Sequence, residues 1–443
     1  MGESSREKEP SLPRPTQAQR VWQDCEIGII YHFDLPVAAG RFEANNAVRE
    51  TLDPKNYHPA ELDTDQWIEA AKAAGAQYAI FTATHFNGFL QWQTDLYPYG
   101  MKQSPYRNGK GDVVAEFVAS CRKANILPGL YFSTHRNVYW TVWGHYVDWG
   151  RGKGTPQQKK FNRMAEKMTE ELCSRYGPLV QIWFDAGVKT PQEGGPDVLP
   201  IFEKYQRNSV FYHNKQRSDH RWIGNENGFA NDPCWATMPA GQGKLSHNAA
   251  SWMPLLGSGD RRGTIWSPGM VDVPLRGAHG IHNWFWSPHQ DHAAHSVDAL
   301  IDMFLQSVGR NCNLIIGEVV QPNGRVPTSD IERLRAFGRR IDAFFGVPLA
   351  ETSGQGAELQ LRLPRPRLVQ YVSIMEDIAF GERIDEFLLE GLLPGHQWKE
   401  LARGQSVGHK RIVRVETQEV TSIRLKVLRS PAPPKIRKLA AFG

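Results

Sequence analysis

The sequence predicts an α/β fold: a (β/α)8-type barrel followed by a C-terminal β-sandwich. Three observations carry that expectation. From about Gln17 to Gly346 short apolar runs alternate with helix-like stretches, the pattern of a parallel sheet covered by helices. After Ala350 the helix-like stretches stop and short runs with strand-type alternation take over. At 443 residues the chain is also too long for one small core, so two domains are the natural prior.

The elements follow in order. Residues 1–16 begin "MGESSREKEPSLPRP", a polar stretch without an apolar signal-type region, and read as a flexible lead-in. This leaves the compartment open between the cytoplasm and a periplasmic or secreted location reached after removal of a signal. The chain contains no N-x-S/T sequon, which weakens a eukaryotic secreted origin. The barrel is expected over 17–347. Its strands are read from the runs "EIGIIYHF" (26–33), "QYAIFTATH" (77–85), "ILPGLYFS" (126–133), "LVQIWFDAG" (179–187), "SVFYHN" (209–214), "RWIGNENG" (221–228) and "NLIIGEV" (313–319). Amphipathic stretches at 64–76, 113–125 and 159–177 supply helices between them. About seven units over such a length suit a barrel of this type, regular or irregular. A doubly wound open sheet is the alternative, but its phosphate-binding glycine fingerprint is missing: "GSGDRRG" (257–263) has the wrong spacing and follows no clear strand. Residues 348–443 carry "AELQLRL", "LVQYVSIMED", "RIDEFLLEG", "KRIVRVE" and "TSIRLKVL" without long helices between them, the signature of a β-sandwich.

Composition excludes several function classes. The net charge of +5 is spread without a long basic run, so nucleic-acid binding is unsupported. No stretch approaches the ~20 apolar residues of a membrane helix. The five cysteines (Cys25, Cys121, Cys173, Cys234, Cys312) form no CxxC pair, which excludes a zinc ribbon, and their odd number argues against a disulfide framework. Cys173 and Cys312 read as buried packing groups. Fourteen tryptophans, some clustered as in "HNWFW" (282–286), are a high number. Flat aromatic faces fill cores, but they also bind sugar rings.

In barrel enzymes the reactive groups stand at the C-terminal ends of the strands. Here those ends carry His32, His85, Tyr131, His135, Asp185, His213 and Glu226. Each alone reads equally well as a satisfied turn or core group, but together they favour a site. Two carboxylates facing each other across a pocket are what glycosidic cleavage requires, ~5 Å apart in retaining enzymes. Asp185 follows Trp183 and Phe184, which sets it beside aromatic surface, and Glu226 is flanked by the amides of Asn225 and Asn227.

At this point the chain resembles a known family over nearly its whole length: family 29 glycoside hydrolases, the retaining α-L-fucosidases, in particular the α-1,3/4-fucosidase branch. "IWFDAG" resembles that family's "WFDG", "FTATHFNGFLQW" its "LTAKHHDGFCLW", "GLYFSTH" its "GLYYSPW" and "RWIGNENGFANDPCW" its "RWVGNEAG…CW". "SVGRNCNLIIGEVVQPNGRVPTSDIERLRAFG" resembles the family's closing segment, and "EDIAFGERIDEFLLEG" with "GQSVGHKRIVRVE" the sandwich appended to that branch. The resemblance implies a retaining exo-glycosidase acting on a terminal α-linked fucose or related sugar of an oligosaccharide or glycoconjugate, with no cofactor and no metal. Asp185 would be its nucleophile and Glu226 its acid/base. His32, His85, Trp92, Tyr131, His135, Trp183 and Arg276 would bind the sugar.

This chain also departs from the family's pattern. Phe86 stands where the family has a second sugar-contacting histidine. "FEANNAVRE" (42–50) replaces a Glu-Trp pair, and Met270 occupies the position of the glutamate in "PAECD". These changes imply an altered sugar pocket, because a buried hydroxyl left unpaired is expensive. The same losses leave a second reading, a weak or inactive carbohydrate-binding protein on the same scaffold. A third, metal-dependent hydrolysis, rests on His282, His289, Asp291, His292 and His295 in "HNWFWSPHQDHAAHSVD". If Glu226 is the acid, a neighbouring ionised Asp185 is expected to raise its pKa, with Asp272 and Glu318 as competing acids.

Overall fold

The computed structural model describes residues 11–42, 49–239 and 253–443. Residues 1–10 of the expected lead-in and 43–48 of "FEANNAVRE" lie outside them. Leu12 and Pro13 run against Gly381 of the C-terminal domain. Helix α1 (Gln17–Cys25) then starts in a capping box, in which Thr16 accepts from the Gln19 amide and Gln19 accepts from the Thr16 amide.

Eight parallel strands form the first sheet: β1 (Ile27–His32), β2 (Tyr78–Thr84), β3 (Leu127–Ser133), β4 (Gln181–Asp185), β5 (Val210–Tyr212), β6 (Arg221–Trp222), β7 (Gly269–Pro274) and β8 (Cys312–Val319). They are laid out β5-β4-β3-β2-β1-β8-β7-β6, which is sequence order around a nearly closed barrel. The remaining gap lies between the short strands β5 and β6. Helices α2 (Thr64–Ala73), α3 (Val113–Lys123), α4 (Pro156–Ser174), α5 (Leu199–Tyr205), α6 (Val297–Ser307) and α7 (Thr328–Phe345) complete the units. Asp63, Asp112, Thr155 and Ser296 cap α2, α3, α4 and α6 with side-chain oxygens that accept first-turn amides.

Strand β7, "GMVDVP", is absent from the runs read in the sequence. Asp272 interrupts its apolar character and a proline closes it, so neither alternation nor a continuous apolar run survives. Its neighbour β6 covers only Arg221 and Trp222 of the expected 221–228 run, so Glu226 stands in the loop beyond it rather than at the strand end.

Alternation along the strands divides the apolar residues into two cores. Ile29, Tyr31, Phe81, Leu130, Phe132, Ile182 and Phe184 pack outward against the helices. Ile30, Tyr78, Ile80, Tyr131, Val180, Trp183, Val210, Tyr212, Met270 and Ile315 fill the barrel interior. Met270, at the family's glutamate position, is thus a fully buried packing group.

The C-terminal domain is a six-stranded antiparallel sheet of β9 (Ala350–Gln355), β10 (Glu358–Glu376), β11 (Glu386–Leu392), β12 (Trp398–Gln405), β13 (Arg411–Arg429) and β14 (Lys435–Phe442), in the order β9-β14-β10-β13-β11-β12. The two 19-residue strands β10 and β13 shift register along their ladder, and the sheet wraps a core of its own that includes Val372, Phe387, Leu389, Val420, Ile423 and Leu439. This domain docks at the N-terminal end of the barrel. Glu26, just before β1, meets Lys410 and His409. Arg411 pairs with Asp232, and Phe344 and Phe345 of α7 pack on Tyr371.

Candidate active site

At the opposite end, a cavity of about 160 Å³ is lined by Ile30, His32, His85, Phe86, Tyr131, Trp183, Asp185, Glu226, Asp272, Trp284 and Phe285. Eight residues picked out in the sequence therefore meet: His32, His85, Phe86, Tyr131, Trp183, Asp185, Glu226 and Asp272.

Asp185 ends β4 beside Ser133 of β3. Tyr131 Oη donates to Asp185 Oδ2 at 2.8 Å. Burial, with Asp185 adding to it, pushes the Tyr131 phenol well above its usual range, so it keeps the proton it donates. Behind Asp185 the chain reverses sharply: Ala186 (φ 56°) and Gly187 (φ 75°) are both left-handed, and Gly187 N–H bonds back to Phe184 O. A side chain at Gly187 would press on His213. Asp185-Ala186-Gly187 is therefore a turn, and it is the turn that delivers the carboxylate to the cavity. A strained non-glycine residue at such a place is a frequent mark of function.

The histidines form an apolar-faced wall. His85 stacks on Tyr131 with ring centroids 5.3 Å apart, and His32 lies 5.2 Å from Trp284 and 5.1 Å from Phe285. Burial lowers the His32 pKa to about 3 and holds His85 well below its ordinary value, so both are neutral at physiological pH. His85 Nδ1 and Trp183 Nε1 are buried without hydrogen-bond partners among the described residues. Two unpaired nitrogens in one small cavity are the complement of a polyhydroxylated ligand.

Glu226 stands at the half-open mouth, its side chain 39% exposed. His282 Nε2 lies 2.5 Å from Glu226 Oε2, and Trp284 Nε1 donates to the same oxygen at 3.0 Å. The Trp284 indole reaches that place because β8 carries Gly317, where any Cβ would collide with the ring. The expected rise in the Glu226 pKa does not occur. Burial pushes it up, but hydrogen bonding to His282 and Trp284 outweighs burial and leaves it below its ordinary value. The raised carboxyl in this cavity is that of Asp272, which burial, then Glu226, hold well above the usual carboxylate range.

Three expected sugar contacts stand elsewhere. Trp92 is fully buried in the outer core, its indole donating to Glu171 at 2.8 Å. His135 lies outside the cavity lining, stacked on His145 at 4.8 Å. Arg276 is fully buried, bonded to Asp330 of α7 and to Asp291. It secures the loop that carries His282, Trp284 and Phe285, and its carbonyl accepts from the Asn283 amide. Trp92 and Arg276 were expected from the family resemblance and His135 from its place at a strand end, neither of which tells which side of a strand or loop a residue faces. Glu318, the other competing acid, is fully buried and does not line the cavity. Sequence reasoning missed Trp284 and Phe285, for which the "HNWFW" cluster was a visible signal. Asp272, named there as a competing acid, does line the cavity.

His282, offered as a metal ligand, is engaged by Glu226, and Asp291 by Arg276. Among the described residues no group of three or more His, Cys, Asp or Glu stands together as a metal site. No described helix is long and apolar enough to cross a membrane.

Comparison with known proteins agrees with this geometry. The alpha-L-fucosidase family model matches residues 11–343. The chain belongs to that family. A putative alpha-L-fucosidase from Bacteroides thetaiotaomicron is 41% identical, with a TM-score of 0.94 over 98% of this chain and 100% of the other. Alpha-L-fucosidase 1 of Arabidopsis thaliana is 28% identical over 98% of this chain and 88% of its own length. A Ruminococcus gnavus fucosidase solved in complex with fucose shares the fold, with a TM-score of 0.81 at 20% identity over 99% of this chain and 97% of the other. This alpha-L-fucosidase family member is thus a glycoside hydrolase, built as a barrel with a C-terminal β-sandwich.

Proposed function

We propose that this family member is a retaining exo-glycosidase that removes a terminal α-linked L-fucose or a closely related sugar, and that it falls in the α-1,3/4-fucosidase branch. The observation that carries the reading is the meeting of Asp185 and Glu226 in one small cavity, the first held by Tyr131 and the second placed at the mouth. The cavity of about 160 Å³ is small and opens where Glu226 stands, which suits one terminal sugar rather than a chain.

In this mechanism the Asp185 carboxylate attacks the anomeric carbon as the bond to the leaving oxygen breaks, and Glu226 gives that oxygen its proton. Glu226 then takes a proton from water, which attacks the same carbon and frees Asp185. The leaving group must exit toward solvent, which suits a half-exposed acid. Glu226 needs a proton that hydrogen bonding to His282 and Trp284 disfavours in the open site. A leaving group covering the mouth adds to the burial that favours it. Phe86 sets an apolar face, stacked by Arg136 at 4.9 Å, where the family's histidine would offer a hydrogen bond, so the sugar pocket is altered.

The reading is tested by turnover of a panel of aryl α- and β-glycosides with early anomer analysis by NMR, and by trapping with a 2-fluoro-glycosyl fluoride. Retained configuration and a mass label on the peptide containing Asp185 are expected. An inverted product, or a label elsewhere, would refute it. Sugar binding without any turnover would leave a carbohydrate-binding protein.

A further inference from the structure

Double displacement employs two carboxyl groups, yet three line this cavity: Asp185, Glu226 and Asp272. The third differs from the others in position. Asp272 lies in the middle of β7, paired with Ile315 of β8, and is only 4% exposed. Glu226, by contrast, shares the solvent-facing mouth with His282. In an exo-acting site the leaving group faces the mouth and the terminal sugar the floor, so Asp272 is on the sugar's side.

Its surroundings decide what it does there. Trp222 Nε1 donates to Asp272 Oδ1 at 2.8 Å, and no ion pair reaches Asp272 among the described residues. The titratable groups acting on it are the carboxyls of Glu226 and Asp185 and the phenols of Tyr212 and Tyr78. A carboxylate here would face two others in a water-poor space. A neutral carboxyl needs no counter-ion, and it keeps one oxygen as acceptor for Trp222 while the other carries a proton to donate.

We propose that Asp272 is a sugar-binding residue, donating a hydrogen bond to a ring hydroxyl of the terminal sugar, and that it is neither nucleophile nor acid/base. This inference rests on the retaining exo-glycosidase reading of the same cavity. It also separates the roles of the two carboxyls near β7. Glu226 exchanges protons with the leaving group and water, whereas Asp272 keeps its proton throughout the cycle and recognises the sugar.

The test uses the full chain with L-fucose as ligand and 4-nitrophenyl and 2,4-dinitrophenyl α-L-fucosides as substrates. Asp272→Asn keeps a donor and an acceptor, so its Kd for L-fucose should stay within about 5-fold of the wild type. Asp272→Ala should weaken binding about 10- to 100-fold, the usual range for losing a hydrogen bond in a buried site. Wild-type affinity should fall at alkaline pH as the carboxyl loses its proton, and the Asp272→Asn affinity should not. A group that merely supports Trp222 would not produce that difference. The rate ratio between the two leaving groups should be unchanged in both variants. A steeper leaving-group dependence with azide rescue in Asp272→Asn would make Asp272 the acid and overturn the proposal. So would wild-type affinity in both variants. Failure of the wild type to bind L-fucose or to retain configuration would instead sink the reading of the site itself.

Discussion

Tyr131 and Asp185 stand on adjacent barrel strands, and the phenol donates to the carboxylate at 2.8 Å. That bond fixes one oxygen of the candidate nucleophile. Asp185→Asn should lower kcat by about 10⁴-fold or more, with the thermal midpoint nearly unchanged. Tyr131→Phe should cost about 10- to 100-fold in kcat/KM, the range for a hydrogen bond to a charged group. Wild-type kinetics in the Asp185 variant would reduce this residue to its turn.

Glu226→Ala should slow natural linkages more than dinitrophenyl glycosides, which need little help from an acid. Azide should restore turnover and give a glycosyl azide of retained configuration. A Glu226 that only anchors His282 and Trp284 would show lower stability and no azide effect.

Phe86 should make aryl α-L-fucosides poor substrates, with kcat/KM below about 10⁴ M⁻¹s⁻¹. Phe86→His should raise that value if the ring nitrogen finds a sugar hydroxyl. A wild-type rate well above that level would show the apolar wall to be harmless.

Arg276 and Asp330 form an ion pair with both side chains fully buried. Removing either partner alone, as in Asp330→Ala, should cost about 3–5 kcal/mol of stability by denaturant titration. Activity should fall with it, since the loop bearing Trp284 and His282 loses its anchor. If Arg276 touched substrate instead, KM would rise in Arg276→Lys without a loss of stability.

Glu26 joins the two domains, and hydrogen bonds and charge from Lys410 and His409 outweigh its burial to lower its pKa from 4.5 to about 2. A depressed carboxyl contributes stability that is present above the unfolded value and lost as pH falls through the folded one. Urea midpoints should therefore drop between about pH 4.5 and pH 2 in the wild type. Glu26→Gln should be less stable at pH 6 and flatter over that window. Parallel curves for the two proteins would rule the latch out as the acid-sensitive contact.

What the sequence disclosed follows from how each residue earns its place. Strands β1 to β5 and β8 were legible because parallel barrel strands are buried on both faces and read as continuous apolar runs. Strand β7 was not, since it carries a pocket aspartate amid its valines. Asp185 could be found from its place at a strand end. Glu226 was read as a strand-end residue too, although it stands four residues beyond a two-residue strand, and its acid/base role came from resemblance to a family motif. Trp92 and Arg276 were placed at the sugar by resemblance, but their contacts with Glu171 and Asp330 join segments remote in sequence, and no local pattern encodes such pairs.

The docking of the β-sandwich has a consequence for how the protein can be divided. Tyr371, Ile412, Ala440 and Phe442 belong to the same apolar cluster as the outer wall of the barrel, together with Phe304, Phe344 and Phe345. A chain cut after Val347 would not release an independent catalytic module. It would leave oily surface bare at the barrel's base, strip Glu26 and Asp232 of their cations, and produce a species prone to self-association. The last hundred or so residues act as a keel. They lie far from the sugar and touch none of the cavity, yet the part that does the chemistry depends on them to stay folded.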